Sequence, residues 1–336
     1  MHLLVLGGTG FLSGEVVRAA VAAGHAVTTV TRGTRPASAA PSSAGHPGAP
    51  PSVRAVQADR DDVASLGAAL APVLDADPPD AVVDCCGYTV EGARAAASVL
   101  GAVPRDVYVS SISAYRDWPP GPIPDESAPT FGPEAPTAEY GPMKAESERV
   151  LAAALGERLL CARAGLIVGP GDRTRRLTSW LHRIATCERV VVPAAADVPV
   201  AFVDVRDLAA WLVVAAGADW SGPVNATGPV GMTTYAGLLE ACRDAVLASG
   251  APAAELVPVP GDRLLAAAVQ PWTDLPFWLP DGVAATAWQV GTARARELGL
   301  ASRPFAETVR DTWAWLRASD LDHPLLPDRL APAVFA

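Results

Sequence analysis

Lysine is almost missing from this chain. Lys144 is the only one in 336 residues, and arginine carries the permanent positive charge everywhere else. No basic run occurs, and the formal net charge is −10 with a pI near 5.0. A nucleic-acid partner needs a basic face, so none is expected; the acidic balance still admits an anionic ligand met by a few local arginines. Cysteine is scarce too. Its five residues, an odd number without regular spacing, form neither a disulfide framework nor a metal-ligand pattern. No metal is therefore expected, and the compartment reads as reducing. Long apolar runs are lacking, which excludes a bilayer span. The apolar start at residues 2–6 meets glycine at once, without the basic start, longer apolar core and cleavage site of a signal peptide. The expected setting is the cytoplasm, away from membranes, with a small molecule as partner.

What is present is apolar: 50% of the residues are hydrophobic, enough for a sizeable core. A chain of this length predicts one large α/β domain with a smaller one attached. Strand-like runs at 3–6, 26–31, 53–57, 81–84 and 106–110 alternate with helical runs at 11–23, 61–74 and 90–100. That alternation predicts a parallel sheet with helical crossovers, its strands apolar on both faces because both are covered. Residues 33–52 are rich in Pro, Ala, Ser and Gly and predict a mobile surface loop. A helix at 143–155 and a strand at 159–163 follow. Beyond them the pattern loosens: helices at 175–186, 204–216 and 233–247, strands near 190, 200–203 and 224, a Trp- and Pro-rich loop at 271–280, and a closing helix at 304–318. The expected architecture is a Rossmann-type, doubly wound parallel sheet with a smaller C-terminal substrate-binding lobe. Residues 1–165, with about 197–228 returning, would form the nucleotide-binding domain; 166–196 and 229–336 would form the lobe.

The first strand runs into Gly7-Gly8-Thr9-Gly10-Phe11-Leu12 and then a helix. Glycine at such a turn lets a pyrophosphate approach the backbone, and the helix start offers unpaired N–H groups and a partial positive charge. Gly7, Thr9, Gly10, Phe11 and Leu12 are therefore candidate dinucleotide contacts. The end of the second strand bears on which nucleotide. An NAD enzyme usually places an acid there for the ribose 2′-hydroxyl, whereas this chain has Thr31-Arg32-Gly33-Thr34-Arg35. Arg32 and Arg35 suit a 2′-phosphate, so NADP(H) is favoured over NAD(H); two solvated loop arginines are the plainer alternative.

Tyr140 and Lys144 stand four apart at a helix start, hence on one face, and Pro142 fits the first turn, where its missing N–H costs nothing. A tyrosine holds its proton at neutral pH, with a pKa of about 10. An adjacent ammonium would lower that value and make Tyr140 a proton donor to a carbonyl, or an acceptor from an alcohol. The only lysine of the chain is found beside a tyrosine at this spacing, where a compact ammonium has a use that arginine does not share. Upstream, Ser110, Ser111 and Ser113 end a strand, where open α/β sheets bind ligands.

Together these motifs resemble the extended short-chain dehydrogenase/reductases, often called NAD-dependent epimerases/dehydratases, over most of the chain. The resemblance implies Gly-x-x-Gly-x-x-Gly at the turn; Gly7 and Gly10 match, while Ser13 holds the third place with Gly14 beside it. It implies Ser-Ser-x-x-x-Tyr, which makes Ser111 the hydroxyl that stabilises charge on the reacting oxygen, Ser110 and Ser113 being the alternatives. Asp59, followed by Arg60, stands where the family holds the adenine amine, although an N-cap is the other reading. Asp84-Cys85-Cys86-Gly87 stands at its cofactor turn. Arg163 to Pro170, Phe202 to Ala209 and Asn225 to Gly228 resemble later family elements. The resemblance also implies that Tyr140 and Lys144 contact the cofactor, and that a homodimer forms through two helices of the main domain.

Two departures narrow the chemistry. The Asp-Glu pair of sugar dehydratases is replaced by Ile112 and Ser113, and the Asn that holds a sugar nucleotide's phosphate side by Leu166. Ser113, Tyr115, Leu166, Trp180 and Trp272 are candidate substrate contacts. Trp118 and Trp278 fall in the same regions, and tryptophan serves equally as core or as cleft wall. Arg173, Arg175 and Arg176 suit an anion clamp or a solvated helix face. The expected activity is hydride transfer to or from a carbonyl or alcohol carbon of a small molecule. The alternatives are an epimerase acting on a sugar or sugar nucleotide, redox-silent use of the cofactor, and a non-catalytic NADP-binding regulator.

Overall fold

The computed structural model describes residues 1–33, 53–194 and 197–319. Six parallel strands lie in the first half: β1 (His2–Leu6), β2 (Ala26–Thr31), β3 (Val53–Gln57), β4 (Ala81–Asp84), β5 (Asp106–Ser111) and β6 (Leu159–Ala164). A seventh, Gly222–Ala226, returns from the second half to pair parallel with β6. The sheet order is Gly222–Ala226, β6, β5, β4, β1, β2, β3. Strand order therefore reverses between β1 and β4, and the crevice at their carboxyl ends is where such sheets take ligands.

The period of two along β1 assigns its side chains to two helical layers. Leu3 and Val5 pack with Val16 of α1 (Phe11–Ala22) and with residues that belong to a helix at 205–216. Leu4 and Leu6 pack with Leu66 and Leu70 of α2 (Val63–Ala76) and Ala95 of α3 (Val90–Leu100). All four are fully buried, each worth roughly 1.5–3 kcal/mol of apolar transfer. The expectation of strands apolar on both faces fails at β3, whose residues are mostly exposed. It is the sheet edge, and Arg54 and Gln57 face water there.

Further along come α4 (Tyr140–Leu155), α5 (Leu177–Thr186), α6 (Val205–Ala216) and α7 (Tyr235–Ala248). A separate core joins α5, α7 and the closing helix Phe305–Arg317. It is completed by a parallel pair, Arg189–Pro193 with Glu255–Val259. The second of these strands and the short helices Gly261–Ala266, Asp281–Ala287 and Ala293–Glu297 went unseen in sequence, because each is too short to show a period and Pro258 interrupts the strand. The run expected at 200–203 divides into Pro199–Val200 and Val203–Asp204, which pair with different partners. Ala295 and Leu300, in the stretch assigned to the lobe, pack instead into the main-sheet core, and Trp211 on α6 donates to the Leu298 carbonyl. Of the loop read at 33–52, only Gly33 lies within the described residues.

Candidate active site

The turn after β1 bends as its glycines require. Gly7 and Gly8 hold φ values of +112° and +128°, where a side chain is strained. A Cβ on Gly7 would stand 2.9 Å from the Ser13 Cβ, and one on Gly8 2.9 Å from the Thr29 Cβ. Gly10 caps α1, and its N–H donates to the Ser13 hydroxyl at 3.0 Å. Ser13, in the third glycine position of the resembling motif, thus finishes the turn. The first turn of α1 carries no acidic side chain, so its unpaired N–H groups and dipole are open to an anion. Such a turn, with the open start of α1 beside it, fits a dinucleotide pyrophosphate.

Around it, Thr9, Phe11 and Leu12 line one cavity with Arg32 at the end of β2 and Asp59 after β3. Arg35 lies outside the described residues. The helix cap expected at Asp59 falls to Asp62, whose carboxylate accepts the Ala64 and Ser65 N–H groups; Asp59 accepts the Asp61 N–H. Arg60 lines the cavity too and also braces the fold. Buried, it forms a two-pronged ion pair with Asp84 at 3.1 and 2.7 Å and donates to the Gly92 carbonyl. Cys85 and Cys86 line the cavity. Burial pushes the Cys86 thiol up to about 12 and Cys85 well above its ordinary value, so both stay neutral. Gly87 is packed under the Tyr108 ring, its carbonyl accepting the Tyr108 hydroxyl, and does not line the cavity.

Ser111, Tyr140 and Lys144 meet at the carboxyl end of β5, where α4 begins, and all three line the same cavity. Tyr140 is 47% exposed. Burial around its hydroxyl raises the phenol pKa, while a hydrogen bond with the Ser111 side chain and the charge of Arg176 pull it down. Ser111 Oγ also accepts the Ser113 N–H at 3.1 Å. Lys144 is buried, with Nζ donating to the Val109 carbonyl at 2.8 Å. Burial lowers its ammonium to about 8, against the opposing pull of Asp84. Its Nζ lies 4.9 Å from the Tyr108 ring centroid, 5.3 Å from Tyr88 and 5.8 Å from Tyr140, a cationic centre in an aromatic cage. The net shift of the phenol is upward, set first by burial, where a lowering was expected; the Lys144 ammonium is turned toward the strand backbone.

This cavity, of about 1070 Å³, runs from the glycine turn past Tyr140 to the second lobe. The sequence model of the NAD dependent epimerase/dehydratase family matches residues 3–227, two-thirds of the chain, with the glycine turn, Ser111, Tyr140 and Lys144 inside the match. The chain belongs to that family. It is an enzyme of the extended short-chain dehydrogenase/reductase type. Among solved structures, a Burkholderia cenocepacia J2315 protein is similar at a TM-score of 0.69 and 20% identity, over 95% of this chain and 98% of that one. The Bordetella bronchiseptica enzyme WbmH, solved with NAD+, is similar at 0.65 and 17%, over 94% and 98%. The UDP-glucose 4-epimerase of Thermus thermophilus, solved with NAD, is similar at 0.64 and 18%, over 95% and 100%. At these identities the likeness is one of fold. No curated protein matches the chain.

The cavity continues past Tyr140 to side chains of the second lobe. Ser113, Leu166 and Trp272 line it as read from sequence. Trp180 does not. It is 0% exposed in the lobe core, with Nε1 donating to the Pro276 carbonyl at 3.0 Å and Tyr235 at its edge. Trp278 is core as well. Tyr115 is buried beneath the site, where its hydroxyl donates to Asn225 Oδ1 at 2.7 Å and its ring lies under Arg163. Arg163 in turn grips Glu148 of α4 through a buried ion pair. Arg163 thus braces α4, while Asn225 ties Tyr115 to the Gly291 carbonyl.

Trp118 lines the cavity, with Nε1 donating to the Ala287 carbonyl at 2.7 Å, and Trp288 stands beside Trp272 with ring centroids 6.3 Å apart. Trp288, Tyr88 and Val290 were missed. Tyr88 directly follows the Cys-Cys-Gly turn, which is the signal that could have found it; Trp288 sits in a segment without a motif. No helix among the described residues is long and apolar enough to cross a membrane.

Proposed function

We propose that this family member is an NADP(H)-preferring oxidoreductase acting on a carbonyl or alcohol carbon of a small, largely apolar molecule. The observation that carries the reading is the convergence of Ser111, Tyr140 and Lys144 on a cleft whose far wall is Trp118, Trp272, Trp288 and Leu166. Gly7, Thr9, Gly10, Phe11 and Leu12 would hold the pyrophosphate, Arg32 with Arg35 the 2′-phosphate, and Asp59 the adenine. Cys85 and Cys86 would supply a neutral wall, and Tyr140 and Lys144 would hold the ribose. Bound nicotinamide supplies a two-electron donor or acceptor. Ser111 orients the substrate oxygen by hydrogen bonding. Tyr140 gives that oxygen a proton, or removes one. Lys144, protonated below about 8, keeps positive charge near the phenol. The tryptophan wall excludes water and selects apolar bodies.

Epimerisation is the second reading. It is favoured by the likeness to a UDP-glucose 4-epimerase of Thermotoga maritima, solved with UDP-glucose; Leu166 and the tryptophans weigh against a nucleotide sugar here. The nucleotide-binding domain is read as 1–165 with about 197–228, joined by the helix Ala293–Glu297, and the substrate lobe as 166–196 and the rest of 229–336. Five free cysteines support a reducing, cytoplasmic setting. A homodimer, which light scattering would detect, is the assembly the resemblance implies.

The test is a titration with NADPH and NADH followed by nicotinamide fluorescence, in wild type and Arg32→Ala. Saturable binding is expected, with NADPH tighter and its advantage cut about ten-fold in the variant. A wild-type preference for NADH would overturn the NADP(H) assignment. Failure to bind either nucleotide would overturn the oxidoreductase reading. Substrate turnover without net nucleotide oxidation or reduction would favour the epimerase.

A further inference from the structure

One strong cation of the second lobe takes no part in the chemistry above. Arg183 on α5 is 6% exposed. One terminal nitrogen donates to the Asp274 carbonyl oxygen at 2.8 Å, and the guanidinium carbon lies 5.5 Å from the Trp180 ring centroid. Nε has no hydrogen-bond partner. Among the described residues no carboxylate stands within ion-pair distance of Arg183. The Asp274 carboxylate, which could have served, accepts the Gln270 N–H instead, at 2.8 Å. A charge withdrawn from water is costly unless it is paired, so a partner of opposite charge is missing.

Arg183 lines a groove of about 450 Å³ together with Arg175, Arg176, Ser179 and Trp272. Thr174, Arg176 and Trp272 belong to the catalytic cavity as well, which makes groove and cavity continuous. Arg176 acts on both: its Nε donates to Thr174 Oγ1, and its charge reaches the Tyr140 phenol. Asp172, the acid of the same loop, is fully buried, with Oδ1 accepting the Thr174 N–H. The groove therefore gathers three guanidinium groups, and a guanidinium fork matches the two oxygens of an oxyanion.

We propose that this groove is the anion end of the substrate site, and that the substrate carries a terminal carboxylate or phosphate which pairs with Arg183, Arg175 and Arg176. Its apolar body lies along Trp272, and its carbonyl carbon reaches Tyr140 on the other side of that indole. The inference rests on the oxidoreductase reading above and narrows it to acidic carbonyl compounds.

The experiment is a tryptophan-fluorescence titration of the full chain with phenyl phosphate, benzoate and neutral benzyl alcohol, alongside an NADPH titration of the same samples. At least one anion is expected to saturate and to bind more tightly than benzyl alcohol. Phenyl phosphate ahead of benzoate identifies a phosphate end, and the reverse order a carboxylate end. In Arg183→Met, anion affinity should fall about ten-fold or more, since a charge-assisted contact is lost, with NADPH binding as in wild type; Arg183→Lys should restore part of it. Should Arg183→Met fail to fold, the exposed Arg175→Gln carries the test with a loss of about three-fold. Anions that bind no better than benzyl alcohol, or equally well to the folded variants, would overturn the proposal. Intact NADPH binding in that case leaves the oxidoreductase reading standing, whereas absent NADPH binding in wild type removes both.

Discussion

The two walls of the cleft are built by different means. The wall proposed for the nucleotide is built around backbone: a glycine turn, the start of α1 and strand ends held in register by a seven-stranded sheet. The wall proposed for the substrate rests on side chains. Tryptophans from three separate segments and arginines from one loop and helix meet only because the lobe folds over the sheet. A backbone site tolerates little change in the chain that forms it but says little about what else binds. A side-chain site can be rebuilt residue by residue.

Substitutions on each side sharpen that contrast. The largest effect is expected at the junction: Tyr140→Phe should lower kcat about 10²- to 10⁴-fold while nucleotide binding persists. A kcat near that of wild type would remove Tyr140 from the chemistry. Gly7→Ala comes next. At φ +112° with Ser13 in the way, it forces strain of about 1–3 kcal/mol onto the turn, and NADPH affinity should drop ten-fold or so. Trp272→Ala should raise KM for a carbonyl substrate by about ten-fold and leave NADPH affinity alone; equal losses in both would show that the walls are not independent.

The smallest effect lies away from the cleft. Burial holds the acid of Asp106, at the start of β5, up at about 8, and one of its oxygens has no partner. The unfolded chain ionises this group near 4. Between those values unfolding releases a proton, so the stability contributed by Asp106 is present at low pH and declines as pH rises toward 8. Asp106→Asn removes the decline. Chemical denaturation should find the variant more stable by on the order of 1–3 kcal/mol at pH 8 and equal to wild type near pH 4; parallel pH profiles would refute the assignment.

The same division explains what was legible in the sequence. Gly7, Gly10, Tyr140 and Lys144 act through spacings of three and four along a turn or a helix, and local spacing survives in a linear string. The sheet was readable for the same reason, each strand being an apolar run between a helix and a turn. Trp180 and Trp272 differ in nothing local. One is core and the other wall because of where α5 and the 271–280 loop dock, a long-range matter. Tyr115 misled in the same way: just beyond the serine cluster, its ring turns down to Asn225, 110 positions away. Trp288 carried no signal at all. The capping of α2 by Asp62 rather than Asp59 shows the limit at shorter range, because several acids in a row offer several caps.

Lys144 has one more consequence. A chain with a single lysine has, apart from its terminal amine, only one primary amine, and this one sits at the cleft with its ammonium held near 8. Amine-directed acylation, followed by mass spectrometry, therefore reads one address. The mass increment at that residue, with and without nucleotide, is a footprint of cleft occupancy that needs no engineered label and no knowledge of the substrate.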